Sequence, residues 1–475
     1  MAVYSYPSPR APKYKKPTSV EDCLPRAREM AKKTHSRAAF GPVKRGDQLL
    51  VVTFPDQDQF VKQALSQALE EEGAEKVDFV NEHEITGQKP PIKSVENGWT
   101  EAENMAKGEA GTEETPFVEE LIGPVRKYLD KHPEYTGIFV RSGGRRHATF
   151  ALREHSHKFR NNYLFNNWEE FAAKTWAFPD ELSLEIERPA IEAIGQASKV
   201  RLTDPEGTSL EYSLTEEQAI RFQMCAWKSG HLFLDPLQAT SDECSQMRYD
   251  LRNPPVFHKP NGVLAGTANH QGFFPRIELY FEDGLLVEVK GGGKYGEIIR
   301  EMMEKYKNVH FPQYPRKGFF WFCDSALCTM VKSFRRTSDM FQCYWQAPNL
   351  GERNRAGVFH HGFGSRRHSP EFSKYIKENN IVHSHIHIHN YFTTFEVKLR
   401  GTEHWLKVTD RGRLTSLDDP RIRTLAVKSG DPDELLSYDW VPPMPGVNCE
   451  GDYFKDYAPD PMAYLKKRMK ENKTI

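Results

Sequence analysis

VRLTDPEGTSLEYS, residues 200–213, decides the fold of the second half of the chain, because two short strand-type runs flank a Pro-Glu-Gly turn. That is the grammar of a hairpin. RIELYFEDGLLVEV, residues 276–289, repeats it around Glu-Asp-Gly, and the stretch around Asp410-Arg-Gly412 repeats it again. Residues 199–430 therefore read as a largely antiparallel, β-rich domain, interrupted by a helix over Tyr295–Tyr306. Upstream the pattern is different. In RGDQLLVVTFPDQDQFVKQALSQALEEEGAEKVDFVN, residues 45–81, Leu49–Thr53 is a short apolar strand. Phe60, Val61, Ala64, Leu65, Ala68 and Leu69 then recur at helical spacing, and Gly73 stands as a C-terminal stop. This is a strand-helix-strand unit, and residues 41–198 read as an α/β domain around it. A second strand, Tyr135–Val140, runs into Ser142-Gly-Gly-Arg-Arg-His147, a turn that either serves structure alone or holds an anion at a helix start. Glu82–Thr115 lacks periodicity and is read as a surface insertion, a lid over a pocket. Residues 1–40 form a Pro- and Lys-rich arm, and residues 431–475, with DPDELL, VPPMPG and YAPDPM, form a wrapping tail. The expected architecture is thus an α/β N-terminal region followed by a mixed, largely antiparallel β-rich metal-binding domain, α+β as a whole.

Composition narrows the function classes. The 475 residues carry 65 Lys plus Arg against 66 Asp plus Glu, a net charge of -1, so no global field gathers a polyanion. Nucleic acid is not an expected partner. Mean hydropathy is -0.68, and no apolar run approaches the roughly 20 residues that span a bilayer, so no membrane is expected either. The first residues lack the apolar core of a secretory signal, and seven cysteines without a CxxC pair form no disulfide framework. A reducing, cytoplasmic setting follows. The chain is rich in histidine, with 18 copies.

Four of those copies alternate in IVHSHIHIHNYFTTF, residues 381–395. Side chains in a strand alternate between faces, so His383, His385, His387 and His389 share one side, while Val382, Ile386 and Ile388 share the other. Residues two apart lie about 6.5 to 7 Å apart, and two such rings can converge on one ion through bonds near 2.0 to 2.1 Å. A row of buried imidazoles costs desolvation and mutual repulsion when protonated; a metal holds the rings neutral and removes that cost. A pH-responsive surface and hydrogen-bonded core histidines are the alternatives. Other groups stand upstream. His360 ends a strand-type run in NRAGVFHHGFG, residues 354–364, as a ligand or an acid-base group, and His361 points the other way. Asp324 interrupts the apolar run GFFWFCDSALC, residues 318–328, where a buried anion requires a positive partner: a metal, or an arginine.

Several of these stretches follow the order of motifs in a known superfamily. GTSLEYS (207–213) resembles the GTxLxxS hairpin of the thermophilic metallo-aminopeptidases, leucyl aminopeptidase and aminopeptidase T, and of their relative 2,5-dihydroxypyridine 5,6-dioxygenase. FEDGLLV (281–287) sits at the family's G-x-V hairpin, and FCDSALCT (322–329) is similar to GELxIGTN. GVFHHGFG (357–364) resembles GTVHxAxG, and SHIHIH (384–389) resembles SxIHxD. The resemblance implies that Asp324 falls near the acidic ligand position, His360 on the motif histidine, His387 on the ligand histidine and His389 on the ligand aspartate. The peptidase pattern is not matched throughout. The stretch LAGTANH (264–270) offers only His270 where a glutamate is expected, and Arg366, Arg367 and His368 stand where a tyrosine is expected. The dioxygenase branch implies instead a single Fe(II) held by two histidines and a carboxylate, with open positions for a bidentate substrate and O2.

The expectation is therefore a mononuclear non-heme Fe(II) ring-opening dioxygenase acting on a small hydroxylated aromatic or N-heteroaromatic compound. Asp324, His387 and His389 hold the metal, His360 or His385 moves protons, and Arg366 or Arg367 meets a substrate carboxylate. The alternative is an aminopeptidase-type metallohydrolase with Zn or Co, with Asp324 or Glu352 as base. The chain is expected to act as a homodimer.

Overall fold

The computed structural model describes residues 5–34, 40–53, 58–87, 92–94, 98–107, 116–140, 152–162, 168–175, 178–225, 231–233, 259–269, 271–311, 314–334, 342–344, 355–364, 370–382 and 384–474. The strand-helix-strand unit is present: β1 (Gln48–Thr53) leads through a helix, Gln59–Glu71, to β2 (Lys76–Asn81). The Asp58 carboxylate starts that helix by accepting from Phe60 N (2.9 Å) and Val61 N (3.2 Å). A two-stranded ribbon pairs β3 (Ile92–Ser94) with β13 (Gln342–Tyr344), and β4 (Gly137–Val140) and β5 (Phe159–Asn162) complete a parallel sheet of order β2-β1-β4-β5. The run Leu49–Val52 is continuously apolar because both faces are covered. Leu49 and Val51 pack with Val61, Ala64 and Leu65, whereas Leu50 and Val52 pack with Ile122, Val125 and Leu129 of the helix Pro116–Lys131.

The remaining strands are β6 (Ala197–Thr203), β7 (Ser209–Ser213), β8 (His231–Phe233), β9 (Asn261–Ala268), β10 (Phe273–Glu282), β11 (Leu285–Gly291) and β12 (Trp321–Cys328). They are followed by β14 (Phe359–Gly364), β15 (His385–Asn390), β16 (Thr394–Leu399), β17 (Trp405–Asp410) and β18 (Arg413–Leu414). They form one antiparallel sheet of order β15-β14-β12-β11-β10-β9-β7-β6-β16-β17-β18, with β8 also paired to β12. All three expected hairpins are there. Asp283 and Gly284 have φ of 46° and 84°, and Arg411 and Gly412 have φ of 50° and 78°. Positive φ at both central residues is what a two-residue type I′ turn requires, which accounts for the Asp-Gly and Arg-Gly pairs. The fold is mixed α+β with a β-rich second part, as its residue patterns indicate.

The sheet curls until its end strand β15 lies against β9. Ile388 and Gly266 make this approach possible: a Cβ on Gly266 would stand 2.6 Å from Ile388 Cγ2. Asn390 adds a hydrogen bond from Nδ2 to the Ala265 carbonyl, 2.7 Å.

Three segments differ from expectation. The N-terminal arm contains a helix, Leu24–Lys32, whose Leu24, Ala27, Met30 and Ala31 are buried, with Arg28 paired to Glu71 of the next helix. Within Glu82–Thr115, helices Glu82–Thr86 and Thr100–Ala106 replace the expected irregular chain. Among the described side chains of the second helix, Ala102 and Met105 are fully in the core, too few to produce a visible period. The segment is also tied down, with Gly98 N donating to Phe273 O (2.9 Å) and Asn269 Nδ2 donating to Gly98 O (2.9 Å). The C-terminal segment does more than wrap, since Trp440, Met444, Tyr453, Tyr457 and Leu465 are all buried. Among the described residues no helix is long and apolar enough to cross a membrane. The turn at residues 142–147 lies outside the described residues.

Two tests follow from this packing. Gly266→Ala forces Ile388 and β15 away from β9, and chemical denaturation should register a loss of about 1–3 kcal/mol. Glu187, on the helix Asp180–Gly195, is buried with the Thr329 hydroxyl donating to it, and burial pushes its carboxyl up to about 7. The folded chain thus binds this proton more tightly than the unfolded chain, so stability is greatest below the ordinary value near 4.5 and declines as pH climbs to about 7. Unfolding of Glu187→Gln across that window should show a shallower decline, by on the order of 3 kcal/mol at most.

Candidate metal centre

β14 and β15 pair antiparallel, with His360 opposite His389, Gly362 opposite His387 and Gly364 opposite His385. Cross-strand partners share a face of the sheet, so four imidazoles gather on one side, two of them beside residues that have no side chain. Ile386 and Ile388 fill the other side and are fully buried, which holds β15 in register. His389 is fully buried, His360 and His387 nearly so, and His385 is partly exposed.

The rings form a connected group. His360 Nδ1 stands 3.3 Å from His389 Nε2, His360 stacks on His387 at 4.6 Å between centroids, and His385 lies 4.5 Å from His387. Two metal bonds of about 2.1 Å subtend a 3.3 Å nitrogen separation at an angle of about 100°, between octahedral and tetrahedral values. In the metal-free protein one shared proton spans the same gap. The donor set therefore fits a bound cation of the imidazole-preferring kind, Fe, Zn, Co or Cu. Among the described residues, three His, Cys, Asp or Glu groups with ligating atoms all within 4.8 Å occur only at Asp130, Glu154 and His155, near the surface. His387 thus joins the His360–His389 pair in a three-nitrogen set only after its ring turns.

Asp324 takes a defined place in the backbone. β12 sets it opposite Gly362, which is itself opposite His387, so Asp324, Gly362 and His387 form one row across three strands. A register shift between Phe322 and Asp324 precedes this row. Its side chain, with Arg366, Arg367, His368, His383 and His270, lies outside the described residues. His361 faces away from the cluster, where its Nδ1 meets Ser325 Oγ at 3.0 Å and its ring lies beside Phe359.

Neighbouring elements fix the histidine strand in ways its own residues do not announce. Tyr295, at the start of the helix Gly293–Lys305, donates its hydroxyl to the His387 carbonyl (3.0 Å) and stacks on Phe274. Met105, on the helix Thr100–Ala106, accepts from the His385 N–H at 2.9 Å. Asp204, half-buried, and Glu206, fully buried, are read from sequence only as part of a turn; desolvation raises both carboxyls, with the charge of Asp204 adding to the effect on Glu206. Tyr453 is raised as well by burial and by Glu206. Alternation identifies the histidine strand; nothing periodic marks these supports.

No family model matches the chain, and no curated protein matches it. Among solved structures it is similar to the 2,5-dihydroxypyridine dioxygenase of Pseudomonas putida, at 12% identity and a TM-score of 0.45, over 84% of this chain and 98% of that one. It is also similar to the wild-type AmpT of Thermus thermophilus, at 15% identity and a TM-score of 0.39, over 83% of this chain and 100% of that one. Likenesses this distant carry no information about chemistry or substrate.

The opposite-face placement of His361 has a measurable consequence. His361→Leu should cost about 1–3 kcal/mol in chemical denaturation, because Ser325 loses its buried partner, while metal uptake by the folded protein stays at the unsubstituted level.

Proposed function

We propose that the chain is a metal-dependent enzyme, a mononuclear non-heme Fe(II) dioxygenase that opens the ring of a small hydroxylated aromatic or N-heteroaromatic compound. One observation carries this reading: buried imidazoles from two paired strands face one another across a 3.3 Å gap, with glycines opposite His387 and His385. His387 and His389 are the proposed ligands together with Asp324, which shares the row of His387. His360, adjacent to His389, either completes the ligand set or accepts a proton at Nδ1. When bound, a ferrous ion would supply Lewis acidity toward a substrate hydroxyl and the redox capacity for reaction with dioxygen.

The chain's own groups do the rest. His385, partly exposed at one end of the row, is placed to take the proton of an incoming hydroxyl. The apolar surroundings of the row exclude water and strengthen each polar contact made there. Arg366 and Arg367 are the proposed partners of a substrate or product carboxylate.

Metal analysis of protein purified without a tag tests the reading. About one iron per chain, with oxygen uptake on a dihydroxypyridine or a catechol, is the expected result; two zincs per chain with release of amino acids from peptides would replace it with a hydrolase. His387→Ala should abolish metal uptake and His383→Ala should do much less. Equal losses would overturn the ligand assignment.

A further inference from the structure

Two carboxylates with no part in the proposed chemistry, one half-buried and one fully buried, lie at the exit of the histidine strand. Asp204 and Glu206 belong to the turn between β6 and β7, closed by Gly207 N donating to Asp204 O (3.0 Å) and Asp204 N to Thr208 O (3.1 Å). Asp204 Oδ1 accepts from Glu206 N at 2.8 Å. Its Oδ2 accepts from Phe392 N at 3.3 Å and from the Thr393 hydroxyl at 3.4 Å, three and four residues beyond His389. Asn390, the residue after His389, donates its amide to Ala265 O (2.7 Å) and to the Thr208 hydroxyl (3.4 Å) beside the same turn.

Glu206 is held on other sides. The Thr267 hydroxyl on β9 (2.7 Å) and the Tyr453 hydroxyl of the C-terminal segment (2.8 Å) both donate to Oε1. Oε2 is buried and has no hydrogen-bond partner among the described residues. Arg276 donates to the Glu206 carbonyl (2.6 Å), but its charge is shared with Glu278 (2.7 Å). Tyr6 of the N-terminal arm feels the charge of Asp204, and with it those of Arg411 and Asp410 from the turn between β17 and β18. Two neighbouring carboxylates, one of them fully buried, with one shared arginine cannot both stay ionised at ordinary cost, and one proton between them resolves this. Asp204, with backbone and hydroxyl donors converging on it, is the better anion. Glu206, with an unpartnered oxygen, is the better acid.

We propose that Asp204 and Glu206 together position the histidine strand: the Asp204 anion fixes the backbone that leaves His389, while Glu206 carries the pair's proton and ties the turn to β9 and to Tyr453. As far as it concerns the metal, this rests on the reading of His387 and His389 as ligands. Asp204 reaches the ion only through the strand, so it is a positioning residue.

Cobalt(II) loaded onto the tag-free full chain provides the test, through its visible absorption and its affinity. Asp204→Asn should shift the cobalt bands and weaken cobalt binding on the order of tenfold, the size typical of supports behind metal ligands, while circular dichroism stays unchanged. Glu206→Gln, which copies the protonated acid, should keep both the bands and the affinity. Thr393→Val, a milder change, should move the bands in the same direction as Asp204→Asn and keeps the question answerable if that variant does not fold. Bands unaltered in both Asp204→Asn and Thr393→Val, or Glu206→Gln as damaging as Asp204→Asn, would overturn the proposal. If the unsubstituted chain takes up no cobalt, the metal reading fails, and amide hydrogen exchange decides the positioning role separately. Faster exchange at Phe392 and along β15 in the metal-free variants supports the role, and unchanged exchange ends it.

Discussion

The antiparallel pairing of β14 with β15 is the constraint on which the site depends. One register places His360 opposite His389 and sets glycines opposite His387 and His385. Because strand side chains alternate with a period of two, a slip of one residue would send all three β15 imidazoles into the apolar side and bring Ile386 and Ile388 to the other. The isoleucines are fully buried against the curled sheet, so that slip is opposed by hydrophobic burial on the order of 1.5–3 kcal/mol for each side chain. Packing on one face therefore fixes the imidazoles on the other.

The curl of the sheet follows from small residues at close approaches. Gly266 lets Ile388 settle on β9, and Asn390 bridges to Ala265 across the same contact. The end strand of a sheet ordinarily presents unpaired backbone groups; here at least one, the His385 N–H, is met by the Met105 thioether. The helix carrying Met105 is itself anchored, since Glu103 pairs with Lys294 and Lys294 lies 5.7 Å over the Trp99 ring.

Much of this was legible in the residues, and the reason is periodicity or turn chemistry. Asp283-Gly284 and Arg411-Gly412 needed positive φ and so marked their hairpins. The helical spacing of Val61, Ala64, Leu65 and Ala68 marked the first crossover, and the alternation of histidine with isoleucine marked β15. What was hidden lacked a repeat. The helix Leu24–Lys32 turns its few apolar residues inward among basic ones, and Trp440, Tyr453 and Tyr457 are buried from chain that Pro, Gly and Asp punctuate. Glu206 reads as a surface turn residue because nothing local announces that the C-terminal segment covers it; Tyr453 contacts Glu206 from 247 positions away.

Sequence separation also sets the order in which the centre is assembled. The His360–His389 contact closes 29 residues, whereas Asp204 meets Phe392 across 188 and Glu206 meets Tyr453 across 247. Contacts of such range form late, after the entropy of large loops has been lost. A chain still emerging from the ribosome can pair its imidazoles and reach Asp204 with Phe392, but Glu206 lacks its Tyr453 contact until that later segment has been synthesised.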